Sequence, residues 1–165
     1  YVDDCSNDNS ADIINSRIHD FNSEGISIKV IKNSDRLYCG SSYRKALDNA
    51  NGFFMGVLDA DDAIVPDAVE YIVRAYRDNP EIGWIYTQFV TCSRKLKQQK
   101  KGFCCLPSKK MSLLMAGKKG VHAYSHWRTF SKRTPNFHKI FKLDLRCAVD
   151  KYMAYRLVGR AYISR

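Results

Sequence analysis

Phe53-Phe-Met-Gly-Val-Leu-Asp-Ala-Asp-Asp62 is the stretch on which the fold turns. Phe53 to Leu58 form a short, continuous apolar run, and three carboxylates follow within four positions. Periodicity alone leaves a buried helix segment open, but an apolar run set between helical stretches is what a buried strand of a mainly parallel sheet looks like. Upstream, Ser42 starts a helix over Tyr43 to Ala50, and Asn51-Gly52 ends it. Before that, Ile26 to Ile31 alternates as a strand does. Ser10 caps a helix in which Ile13, Ile14, Ile18 and Phe21 recur near helical spacing, with Gly25 at its end. Tyr1-Val2 reads as the close of a strand, and Asp3 to Ser10 as an acidic loop. Downstream, Pro66 suits a first helical turn. Ala68, Val69, Ile72, Val73 and Tyr76 then make one apolar face, and Asn79-Pro80 stops the helix before a strand over Gly83 to Thr91. Strand and helix alternate at short spacing throughout, which predicts an α/β layer with helices against a sheet.

The second half reads less clearly. Ser93 to Lys110 is a cationic loop, Met111 to Ala116 a short helix, and Val121 to Phe130 ambiguous. Cys147, Val149, Met153, Ala154 and Leu157 suggest a helix ended by Gly159, with Ala161 to Ile163 opening another strand. The expectation for the 165 residues is one domain, with residues 1–92 its first half and residues 93–165 a basic second half.

Composition sets outer bounds. A hydrophobic fraction of 45% with 27% charged residues excludes a disordered or collagen-like chain. The net charge of +10 favours polyanions, and it is unevenly placed. Ser93 to Lys142 hold fourteen Lys or Arg and no Asp or Glu, leaving thirteen basic and seventeen acidic residues elsewhere. No run approaches the roughly 18–20 apolar residues that span a bilayer. Tyr-Val-Asp-Asp at the start has neither part of a signal peptide, so the expected place is the cytoplasm or the cytoplasmic membrane face. The six cysteines contain no Cys-x-x-Cys pair and read as reduced, buried structural thiols. His122 and His126 have i, i+4 spacing but lack the Glu of a zinc protease motif.

Carboxylates crowded at the end of a strand repel one another, and a divalent cation offsets that repulsion while bridging substrate phosphates. Asp59, Asp61 and Asp62 are therefore a candidate metal and nucleotide site, with an acidic turn near a helix's positive end as the plainer alternative. Asp3-Asp4 also follows an apolar strand, so both acidic loops are expected at one edge of the sheet.

Three blocks carry a resemblance. Tyr1-Val-Asp-Asp-Cys-Ser-Asn-Asp-Asn-Ser10, the stretch Gly40 to Asp62, and Val149-Asp-Lys-Tyr-Met-Ala-Tyr-Arg-Leu157 are similar, in order and spacing, to blocks of family 2 glycosyltransferases. The resemblance implies a GT-A, Rossmann-like α/β three-layer sandwich with a mainly parallel central sheet, here incomplete at both ends. It implies an inverting, metal-assisted transfer of a hexosyl or N-acetylhexosaminyl group from a nucleotide diphosphate sugar, UDP-sugars first among them. Glycan, lipid-linked or protein hydroxyls would be acceptors. By the same resemblance Asp4 meets the nucleotide base, Arg44 touches the nucleotide, Asp59 lies near ribose or metal, Asp61 and its neighbour Asp62 hold manganese or magnesium, and Asp150 is the general base. Trp127 and Arg128 fall where the family places an acceptor-side loop, with simple strand packing as the alternative. The sequence departs from the pattern at Cys5, where Gly is usual, at Tyr43-Arg44-Lys45, where Ala-Arg-Asn is usual, and at Val149, where an acid is usual.

Two rivals use the same residues differently. The basic stretch, interleaved with Phe103, Tyr124, Trp127, Phe130, Phe137 and Phe141, has the composition of a single-stranded nucleic-acid-binding module but no recognised motif, so no nucleic acid is expected. An inactive transferase-like domain used for binding is the other. The same positive charge would also suit an anionic membrane surface.

Overall fold

The computed structural model describes residues 1–102, 127–134, 137 and 146. They fall into two compact units, residues 1–50 with Arg146, and residues 51–102 and 127–134 with Phe137.

In the first unit β1 (Val2–Asp3), α1 (Ser10–Ser23), β2 (Ile31–Lys32) and α2 (Tyr38–Asp48) follow in order. β1 and β2 pair in parallel, Val2 opposite Ile31 and Asp3 opposite Lys32, and α1 is the crossover that parallel neighbours require. α1 ends at Ser23, and Gly25 two residues on, where its sequence predicts a stop, has φ 77, a left-handed conformation that a side chain resists. Its apolar face is more open than expected: Ala11 is buried, while Ile13 and Phe21 are exposed. The expected strand over Ile26 to Ile31 contributes only Ile31 to the ladder. α2 starts five residues before the expected Tyr43, because Asp4 accepts the backbone N–H groups of Leu37 and Tyr38 and so satisfies the first donors of an earlier helix. α2 packs on β1.

The second unit contains β3 (Phe54–Val57), α3 (Ala68–Asp78), β4 (Trp84–Tyr86), β5 (Val90–Cys92), β6 (Gln98–Lys101) and β7 (Arg128–Ser131). The apolar run is indeed a strand. β7 lies between β3 and β4 and is antiparallel to both, with Met55 and Trp84 flanking Phe130. The alternation of strand and helix from β1 to β4 agrees with the expected α/β class. The mainly parallel central sheet does not emerge from the described strands, where β1 and β2 are the parallel pair and β7 makes both ladders of the larger sheet antiparallel. The reason is legible in β7, whose Arg128, Thr129, Phe130 and Ser131 are all buried although three are polar. A strand covered on both faces but not apolar shows neither alternation nor a hydrophobic run.

Partners from α3, from β4 and from Gly83 just before β4 meet polar groups of this strand. Thr129 Oγ1 donates to the Ile85 carbonyl at 3.2 Å and lies 3.1 Å from the Tyr76 hydroxyl, while the Ser131 N–H reaches the Gly83 carbonyl at 2.8 Å. α3 covers the sheet through Ile72 and Tyr76, whose ring stacks on Phe54 with centroids 4.6 Å apart. Val69, expected on that face, is exposed. α3 stops at Asp78, before Asn79-Pro80, as a helix does when proline displaces its predecessor from the helical region. The expected strand over Gly83 to Thr91 is broken in two. β4 joins β7, while β5 turns back on β6 as a separate hairpin that replaces part of the expected cationic loop.

The thiols of Cys5, Cys39 and Cys92 are free, but all three are exposed rather than buried as expected. The expected helices over 111–116 and 147–157, the strand over 161–163, His122, His126 and Asp150 lie outside the described residues.

Candidate functional site

In the first unit the chain after β1 is organised by two adjacent carboxylates. Asp3 is 1% exposed, and its Oδ1 accepts the Ser6 N–H at 3.2 Å. Its Oδ2 is buried with no hydrogen-bond partner among the described residues. Asp4 accepts from the Leu37 N–H at 2.8 Å, the Tyr38 N–H at 2.7 Å and the Asn33 amide at 2.8 Å. Burial pushes the Asp4 carboxyl up, but hydrogen bonds from Asn33, Leu37, Ser42 and Tyr38 outweigh it and leave the group below its ordinary value. Asn33, 2% exposed, extends the network by accepting from Lys45 Nζ at 2.6 Å. Arg44, the expected nucleotide contact, pairs with Asp48 one helical turn away, with Nε 2.8 Å from both carboxylate oxygens. Lys45, next to Arg44 in α2, is joined through Asn33 to the Asp4 network.

Tyr38, the first residue of α2, was not predicted to matter. It has φ 63, unusual for a bulky residue, and its ring carries two guanidinium groups, Arg146 at 4.6 Å and Arg36 at 5.7 Å from the centroid. No spacing in the sequence signals this arrangement, since Arg146 is far along the chain.

In the second unit the acidic stretch leaves β3 as a tight turn closed by the Asp62 N–H on the Asp59 carbonyl at 3.0 Å. Asp59 is partly covered, whereas Asp61 and Asp62 are exposed. Register brings Arg128 opposite Val57, and its guanidinium reaches Asp59 at 3.7 Å. The Arg128 side chain is only 6% exposed, so its position is inside the sheet, where it holds the root of the turn, rather than on an open acceptor-side loop. Trp127 precedes β7 and lays its indole against Gly56, where an added Cβ would come within 3.0 Å of Nε1. The structure thus groups Asp59 and Arg128 at the end of β3, with Trp127 beside the same strand. Among the described residues β1 pairs with β2 and β3 with β7.

No group of three or more His, Cys, Asp or Glu suited to a metal ion occurs among the described residues. What the turn offers is a pair of exposed carboxylates, Asp61 and Asp62, adjoining the half-covered Asp59. That donor set suits a hard cation such as magnesium, which typically takes one or two carboxylates and completes its shell with water and substrate phosphates.

No curated protein matches the chain. The family description Glycosyl transferase family 2 matches residues 1–141 of the 165, a span that contains β1, the Asp4 network, the acidic turn and β7. The chain belongs to glycosyltransferase family 2.

Proposed function

We propose that the chain transfers a hexosyl or N-acetylhexosaminyl group from a nucleotide diphosphate sugar, UDP-sugars foremost, to an acceptor hydroxyl with inversion at the anomeric carbon. The observation that carries this reading is the acidic turn Asp59 to Asp62 at the carboxyl end of β3, with two exposed carboxylates and Arg128 fixing its root. In α/β proteins the carboxyl ends of strands are where ligands bind. A diphosphate leaving group develops negative charge as the sugar departs, and a cation held by Asp61 and Asp62 would supply Lewis-acid stabilisation of it. Asp59 orients that pair, and Arg128 keeps Asp59 in place. At the nucleotide end, Asp4 and Arg44 are assigned to the donor, and Trp127 to the acceptor sugar, where an indole gives an apolar platform. Asp150 takes the proton of the attacking hydroxyl. The reading places the protein in the cytoplasm or at the cytoplasmic membrane face, where such donors and lipid-linked acceptors meet.

Thermal unfolding with UDP or GDP tests the donor site. Stabilisation is expected only when manganese or magnesium is also present, and Asp61→Ala should remove it. Nucleotide stabilisation that is indifferent to metal and to Asp61→Ala would refute the assignment. Asp150→Asn should retain that stabilisation while transfer falls by roughly 10²–10⁴-fold, the usual contribution of a positioned base.

A further inference from the structure

The hairpin of β5 and β6 pairs with no other described strand, and all of its strand residues are exposed. Its sequence, Val90-Thr-Cys-Ser-Arg-Lys-Leu-Lys-Gln-Gln-Lys-Lys101, has five cations and no acid. The tip is a built turn. Ser93 Oγ accepts the N–H groups of Lys95 and Lys97 at 3.3 Å, the Ser93 carbonyl takes the Leu96 N–H at 2.9 Å, and the Ser93 N–H reaches the Lys97 carbonyl at 2.9 Å. At the root the Gly102 N–H reaches the Phe89 carbonyl at 2.9 Å, and the Phe89 ring occupies the space a Cβ on Gly102 would need.

This turn holds Leu96 at φ 55 and 67% exposed, the highest exposure of any large hydrophobic residue described. A turn serving only solvent would carry Gly or Asn at such a position, where a leucine adds strain and apolar surface together. An aliphatic side chain at the extremity of an arm, with Arg94, Lys95 and Lys97 beside it and Lys100 and Lys101 behind, matches an interface that is anionic outside and apolar just beneath. We propose that the hairpin docks the protein on an anionic lipid surface, with Leu96 entering the boundary between headgroups and acyl chains and the five cations attracted by acidic headgroups. The hairpin has no aromatic residue between Val90 and Lys101, which argues against single-stranded nucleic acid, whose bases are held by stacking. This inference is independent of the transfer chemistry.

Flotation of the full chain with phosphatidylcholine vesicles, with and without phosphatidylserine, is the test. Binding is expected only with phosphatidylserine and should weaken as salt rises. At about fivefold per charge, Lys95→Ala with Lys97→Ala should lower it about 25-fold. Leu96→Asn, which suits the left-handed backbone and so preserves the turn, should lower it about tenfold, in line with loss of a partly inserted leucine. Equal binding to neutral vesicles would overturn the proposal. So would loss of binding in Lys118→Ala with Lys119→Ala while the hairpin variants bind normally, or binding of poly(uridine) in preference to vesicles with no response to Leu96→Asn.

Discussion

Cys5 has φ 63 at the position where the resembling sequences carry Gly, and its thiol lies 3.6 Å from the Ser34 carbonyl. A side chain in the left-handed region costs roughly 1 kcal/mol, so Cys5→Gly should raise stability by about that much in a denaturant titration. Asp4 makes a prediction of opposite character. Its folded carboxyl lies below the ordinary 3.8, so the stability it contributes is complete above that value and is lost as pH falls through the lower, folded one. Asp4→Asn should therefore flatten the acid limb of the stability profile and lower stability near neutrality. Tyr76 governs the alkaline side, because burial pushes its hydroxyl up from 10.0 to about 12. A raised acid favours the folded state while protonated, so its contribution is intact below pH 10.0 and declines between there and about 12. In Tyr76→Phe that decline should disappear from a pH series of unfolding curves.

At the scale of elements, β7 is the strand on which the second unit depends. It supplies both ladders of the three-stranded sheet, and Phe130 is fully buried with its ring edge-on to Phe137. Phe130→Ala should cost roughly 3–5 kcal/mol, as truncation of a core aromatic does, with the loss read from thermal unfolding. Gly56 in β3 is a subtler control. Gly56→Val adds bulk where the Trp127 indole already lies 3.0 Å from a single added Cβ, so the tryptophan must move. Its fluorescence should shift while the nucleotide stabilisation proposed for the Asp59 to Asp62 turn persists. Loss of both together would mean that the substitution had disturbed β3 itself. α2 teaches the complementary lesson, since its start is fixed by a side chain from the end of β1 and not by its own residues.

At the scale of the whole molecule, family membership over residues 1–141 stands beside a positive charge excess confined to residues 93–142, and the proposed anionic donor and anionic lipid surface are the partners that such a charge would attract. A ligand that binds only the folded chain stabilises it by about 2.7 kcal/mol at a hundredfold excess over its Kd. For a chain of this size that corresponds to roughly 5–10 °C in Tm, well within reach of a nucleotide and cation titration.

The order β1-α1-β2-α2-β3-α3-β4 and the acidic turn were legible in the sequence because each rests on local chemistry: apolar runs, helical spacing, a glycine at a helix end, a proline after one. Carboxylates following an apolar strand announce themselves in the same way. The antiparallel insertion of β7, the pairing of Arg128 with Asp59, and the gathering of Asn33 and Lys45 around Asp4 were decided by tertiary structure. Each joins residues separated in sequence, and each uses polar side chains whose burial becomes tolerable only when a distant partner arrives. Hydrophobic periodicity, which records what a segment buries by itself, carries no trace of such partners.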